Sequence, residues 1–158
     1  MSKFELKDVR VTDGFFSDYA ELVRTEVIPY QWEALNDRVE GAAPSYAMRN
    51  FRVAAKKNQE RKELGAAFQG FETLSEELDS LEDRFYGCVF QDSDFSKWIE
   101  AVGYSLNQHP DPELERIADG AIDLVCAAQQ EDGYLDTYYI INGKNKIFTN
   151  LRDHHELY

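Results

Sequence analysis

Basic residues are scarce in this chain. Against 30 Asp and Glu stand only 17 Lys and Arg, so 158 residues carry a formal net charge of −13. Such a surface repels phosphate backbones and excludes non-specific nucleic-acid binding, while leaving neutral ligands such as sugars untouched. Cysteine is almost absent: Cys88 and Cys126 are the two present. They form no CxxC pair and no metal-type spacing, and their apolar neighbours predict inert buried thiols. Neither has a base beside it in sequence, which argues against a thiol nucleophile. No apolar run approaches a membrane span. The opening MSKFELKDVRV has no apolar core of the kind a signal peptide needs, so the expectation is a cytoplasmic protein with reduced thiols. Gly-rich phosphate loops, nucleophile elbows and internal repeats of 30 to 50 residues are also missing. What is present suffices for one domain with a real core: 43% hydrophobic residues, including 10 Phe and 9 Tyr.

The most informative stretch is Phe90 to Leu106, FQDSDFSKWIEAVGYSL. Behind the polar opening Gln91, Asp92, Ser93 and Asp94, the residues Phe95, Trp98, Ile99, Val102 and Leu106 recur at helical spacing and make one apolar stripe. Asp94 is the expected N-cap. The polar cluster then lies at the helix mouth, where amides and dipole suit polar ligands; the plainer reading is cap and turn chemistry alone.

Taken in order, Phe4 to Val11 alternates loosely and predicts a short strand or an extended arm packed on the body. Phe15 to Asp37 reads helical through Phe16, Tyr19, Ala20, Leu22, Val23, Val27, Trp32 and Leu35, with Pro29 expected to break or kink it into two pieces. EGAAPS (40–45) is a loop, and Tyr46 to Lys57 a helix. Residues 58–84 form a charged insert whose leucines and phenylalanines keep helical spacing. Glu113 to Gln130 is the cleanest amphipathic helix, with Leu114, Ile117, Ala118, Ala121, Ile122, Val125 and Ala128 inward. Its short link to the preceding helix predicts neighbours packed antiparallel. Asp132-Gly133 marks a turn with positive φ at the glycine, and Tyr134 to Ile141 reads as a small hairpin or extended segment. The final TNLRDHHELY looks like the opening of another helix. The expectation is therefore a partial domain, 1–158, with an exposed apolar flank where later helices would pack.

Acid/base carboxylates are available in Asp92, Asp94, Asp132, Asp136 and Glu156, but no spacing singles out a pair. Asp132 is most simply a turn former. His154 and His155 point about 100° apart on a helix and lack the HExxH spacing, so they do not form a metal site; an inward His can donate to a sugar hydroxyl. His109 reads as a surface loop residue. Trp98 belongs to the core stripe, whereas Tyr134, Tyr138 and Tyr139 adjoin a turn, where polar-tipped aromatics often line clefts.

VIPYQWEALND (27–37), SYAMRNFRVAA (45–55), FYGCVFQDSDFSKWIEAVGYSL (85–106), HPDPELE (109–115), AAQQEDGYLDTYY (127–139) and RDHHELY (152–158) together resemble the N-terminal part of glycoside hydrolase family 127, the β-L-arabinofuranosidases. The resemblance covers nearly the whole chain except the charged insert. It implies an all-α fold, the N-terminal portion of an (α/α)6 barrel built of helical hairpins, and retaining release of terminal β-L-arabinofuranose from glycans. It implies a zinc-bound cysteine nucleophile and a glutamate acid/base, all downstream of the matched region. So no catalytic residue and no metal ligand is expected here, zinc is expected only in the full-length enzyme, and the chain alone is expected to be inactive. The residue the resemblance assigns to substrate is His155, from the family's H-E-[LM]-Y stretch; Gln91, Asp92, Asp94 and Tyr134 are further substrate-side candidates. The implied partners are an arabinose-containing oligosaccharide or glycoconjugate and the missing C-terminal part of the same protein, with no nucleic acid and no membrane. Two other readings remain at this level: another α/α-barrel sugar enzyme of the unsaturated glucuronyl hydrolase kind, or a non-catalytic helical scaffold that binds protein.

Overall fold

The computed structural model describes residues 5–63 and 83–142. Among them every regular element is helical: α1 (Gly14–Leu22), α2 (Ile28–Leu35), α3 (Ala47–Glu63), α4 (Asp92–Gln108), α5 (Pro112–Ala128) and α6 (Thr137–Asn142). A 3-10 turn, Leu6–Asp8, precedes them. The N-terminal arm is not a strand. It is tied to the body where Gln108 Nε2 donates to the carbonyls of Leu6 and Val9 at 2.8 and 3.0 Å.

Pro29 does not break its helix. Between α1 and α2 the chain widens into a π-helical segment, Val23–Val27, in which the Ile28 amide reaches back five residues to the Val23 carbonyl. A π turn accommodates a proline by relieving its clash with the preceding turn. It also resets the phase. Ordinary spacing would bring Arg24 onto the face that Ile28 and Leu35 bury; the extra residue brings Val23 there instead, packed against the core.

α3 is the hub. Ala47, Met48, Phe51 and Ala54 are fully buried and meet α4, α5 and α6. Beside this stripe runs a polar one at helical spacing. Asn50 exchanges two hydrogen bonds with the Tyr86 backbone, donating at 2.8 Å and accepting at 3.3 Å. Asn58 donates to the carbonyls of Ala127, Ala128 and Gln129 at the end of α5, the closest at 2.8 Å. Lys57 and Arg61 donate to the carbonyls of Ile141 and Ile140 at the end of α6, at 3.3 and 3.0 Å. Cations and amides are the groups that satisfy the orphan carbonyls of helix C-termini. This is why α3 continues to Glu63, past the Lys57 at which the sequence pattern ends it.

In α4, Phe95, Trp98 and Val102 are buried as their spacing predicts. Trp98 stacks on Trp32 with centroids 4.6 Å apart and donates from Nε1 to the Ile28 carbonyl at 3.1 Å, so both indoles are core groups. α5 is capped by Asp111, whose carboxylate accepts from the Glu113 and Leu114 amides. Its inward face is rotated slightly from the expected one: Ile122 is 42% exposed, while Leu124 packs on the core.

Two other expectations are corrected. Tyr134 to Ile141 is no hairpin, because α6 begins at Thr137 and is helical to Asn142. Cys88 and Cys126 are exposed rather than buried. Cys88 lies in the turn after Gly87, and Cys126 falls on the outer side of α5, whose buried residues are alanines. Among the described residues an exposed apolar surface lies on α1, where Phe15, Phe16, Tyr19 and Leu22 are 48–72% exposed; the final TNLRDHHELY, where another helix is expected to open, lies outside the described residues.

Candidate functional site at the mouth of α4

The stretches FQDSD and DGYLDT meet in space through Asp92 and Thr137, 45 residues apart in sequence. Asp92 opens α4 and is 6% exposed. Its carboxylate accepts the Thr137 amide at 2.7 Å and the Thr137 hydroxyl at 2.6 Å. Burial pushes the Asp92 carboxyl up to about 6, and the two bonds from Thr137 hold it back from rising further. Next to Thr137, Asp136 is fully buried and its carboxylate accepts the Tyr139 amide, at 3.4 Å. Tyr134, half-buried between them, has its phenol held well above its ordinary value by burial and by the charges of Asp136, Tyr139, Asp92 and Asp132. Asp132 is the turn former expected, accepting the Tyr134 amide at 3.0 Å, and Gly133 takes φ +91°.

On the outer side of the same mouth, Gln91 donates to Asp94 at 2.7 Å and to the Ser45 hydroxyl at 3.4 Å. Asp94 is therefore not the N-cap; it sits in the first helical turn, and Gln91 occupies the cap position without a side-chain bond to the helix amides. Gly87 makes room for this arrangement. Its φ is +94°, and a Cβ there would lie 3.0 Å from Gln91 Oε1. Adjoining it, the Tyr46 and Tyr86 rings lie 5.4 Å apart, and the Arg49 guanidinium sits 4.5 Å from the Tyr86 centroid. Tyr46 holds φ +63°, a left-handed conformation that a bulky aromatic adopts only under constraint. The constraint is visible: Asp37 accepts both the Ser45 and Tyr46 amides, at 2.6 and 2.9 Å.

Of the sequence candidates, then, Gln91, Asp92, Asp94 and Tyr134 come together around one helix mouth, and His155 lies outside the described residues. They divide by role. Both Asp92 oxygens are engaged by Thr137, so this carboxylate joins α4 to α6. Gln91 and Asp94 face outward, where a polyhydroxylated ligand can exchange hydrogen bonds with them. Thr137, Tyr46, Arg49 and Tyr86 are not singled out as site residues by the sequence, and Asp136 stands there only among five available carboxylates. The available signal was Asp-Thr at the foot of an apolar helical run, a helix-start pattern in a segment read as extended. Among the described residues no three His, Cys, Asp or Glu side chains gather as a metal ion would require. No helix among them is long and apolar enough to cross a membrane.

The β-L-arabinofuranosidase GH127 catalytic-domain family matches residues 8–158. The chain belongs to the GH127 β-L-arabinofuranosidase family. It is 36% identical over 155 residues to the non-reducing end β-L-arabinofuranosidase of Bifidobacterium longum subsp. longum, covering 96% of this chain and 22% of that protein. Its fold superposes on the crystal structure of a GH127 β-L-arabinofuranosidase from Geobacillus stearothermophilus T6 with a TM-score of 0.74 and 50% identity, over 95% of this chain and 20% of that one. The chain thus spans about a fifth of the length of these GH127 relatives. The helical architecture expected from the resemblance is the one found.

Proposed function

We propose that this chain is the N-terminal portion of a GH127 catalytic domain, part of an (α/α)6 barrel, in an enzyme that releases terminal β-L-arabinofuranose from glycans with retention. The observation that carries the reading is the superposition on a GH127 enzyme at 50% identity over 95% of the chain. The substrate class is an arabinose-containing oligosaccharide or glycoconjugate. The chain's contribution is to one wall of the sugar pocket, with His155 contacting substrate and Gln91, Asp94 and Tyr134 lying nearby. The rigid join of Asp92 to Thr137 supports this, because precise positioning of binding groups depends on fixed supporting elements.

The described residues do not fit a zinc site. They hold no cluster of metal-ligating side chains, and Cys88 and Cys126 are separate exposed thiols. The nucleophile, the acid/base and the metal belong, in this reading, to the remainder of the enzyme. A cytoplasmic location is part of the reading, supported by the two unbridged thiols.

The test is a hybrid in which this chain replaces the matching segment of the Bifidobacterium relative. The hybrid is expected to hydrolyse a nitrophenyl β-L-arabinofuranoside, and the 158 residues alone are not. Hydrolysis by the chain alone, or a hybrid that cleaves unsaturated uronides and not arabinofuranosides, would overturn the proposal.

A further inference from the structure

Helix α1 buries none of its residues. Phe15, Tyr19 and Leu22 follow one face at steps of four and three, with Phe16 flanking them, and they are 72, 60, 48 and 62% exposed in that order. Their rings already form a preassembled surface: Phe15 and Phe16 meet edge to face at 5.2 Å, and Phe15 stacks on Tyr19 at 6.4 Å. On the opposite side a groove of about 950 Å³, between Ser17, Ala20 and Arg24 and the facing Val9, Tyr104 and Gln108, holds α1 away from the body. α1 runs on through Val23–Val27 into α2, which anchors it, and gains little of its own from the described core. A contiguous aromatic face of this kind marks a surface that is covered in the working protein.

We infer that the Phe15–Phe16–Tyr19–Leu22 face of α1 is the seat of an apolar helix face from the remainder of the GH127 catalytic domain. This rests on the function proposed above. Three observations select that occupant. α1 lies inside the region that the catalytic-domain family matches, residues 8–158, so it belongs to the domain rather than to an appended tail. The solved relative carries this same fold as 20% of its chain, so four-fifths of a GH127 chain stands ready to supply the cover. And Asp18 borders the face in a chain of net charge −13, which favours a neighbour with basic residues at its rim over a second copy of the same acidic chain.

The test is hydroxyl-radical footprinting of Phe15, Phe16 and Tyr19 in the isolated chain and in the hybrid with the Bifidobacterium relative. Oxidation of these three is expected to be at least tenfold slower in the hybrid. In the isolated chain it is expected to stay fast from micromolar to high concentration. The exposed pair is also changed, Phe15→Ser with Tyr19→Ser. This double variant is expected to lower the Tm of the hybrid by several degrees and to leave that of the isolated chain within about one degree. Aromatics that stay reactive in a hybrid that cleaves arabinofuranoside would overturn the docking while leaving the function standing. Protection in a hybrid that cleaves none would do the reverse. Protection that grows with concentration in the isolated chain would assign the face to a second copy instead and overturn the inference.

Discussion

Asp92 and Thr137 are joined twice: one carboxylate takes both the amide and the hydroxyl of one threonine, at 2.7 and 2.6 Å, inside the protein. The pair is the hinge pin between α4 and α6, and it makes the fold sensitive to pH. In the unfolded chain Asp92 titrates near its ordinary value of about 4, and in the folded chain at about 6. The folded state therefore holds the extra proton between these values, and stability falls as pH rises from about 4 to about 6, then levels. The span is on the order of 2–3 kcal/mol. Asp92→Asn removes this titration while keeping an acceptor for the Thr137 amide. Urea unfolding from pH 4 to 7 is expected to show the wild type losing stability relative to Asp92→Asn across that window. Parallel curves would refute the assignment.

Gly87 is set to be intolerant of any side chain. Gly87→Ala must adopt φ +94° and bring its Cβ to 3.0 Å from Gln91 Oε1. The strain costs about 1–2 kcal/mol. The clash also displaces Gln91 from Asp94, so in the hybrid enzyme a rise in KM for arabinofuranoside is expected together with the lower Tm. An unchanged KM would mean that this outer side of the helix mouth does not face substrate.

Asn58 carries the end of α5. Asn58→Leu keeps the volume and removes the donor shared by three carbonyls. It also strands Gln130, which donates to Asn58 Oδ1. The expected loss is about 2–4 kcal/mol in urea unfolding. A loss below 0.5 kcal/mol, the scale of ordinary surface substitutions, would show that water replaces the amide there.

Both thiols are open to solvent. A native-state labelling experiment with a thiol-reactive aromatic disulfide is expected to modify Cys88 and Cys126 fully without denaturant. Cys126→Ser is expected to shift stability by no more than about 0.5 kcal/mol. Slow labelling that follows global unfolding would restore the buried reading.

The sequence made the helices of α3, α4 and α5 legible because their apolar residues recur cleanly at helical spacing, and it made the tryptophan core legible through Trp98. It brought Gln91, Asp92, Asp94 and Tyr134 into one list, and the fold brings them to one helix mouth. What it hid has three physical sources. Tyr134 to Ile141 is rich in aromatic and β-branched residues, and the tertiary tie between Asp92 and Thr137 overrides that local preference in favour of a helix. The apolar sequence neighbours of the cysteines suggest burial, but neighbours on a helix point in different directions, and Cys126 points outward. Asn50, Lys57, Asn58 and Arg61 look like an ordinary polar face until their distant carbonyl partners are seen, 36 to 84 residues away.

The widened turn at Val23–Val27 gives this part of the sequence meaning in its length. One added residue rotates what lies upstream by about 100°, so Val23 lands on the interior side and Arg24 is steered off it. Removing a single residue there would keep the composition and the helix yet swing the aromatic side of α1 through a quarter of a circle. The spacing between Val23 and Ile28 is thus as binding an instruction as the identity of either residue.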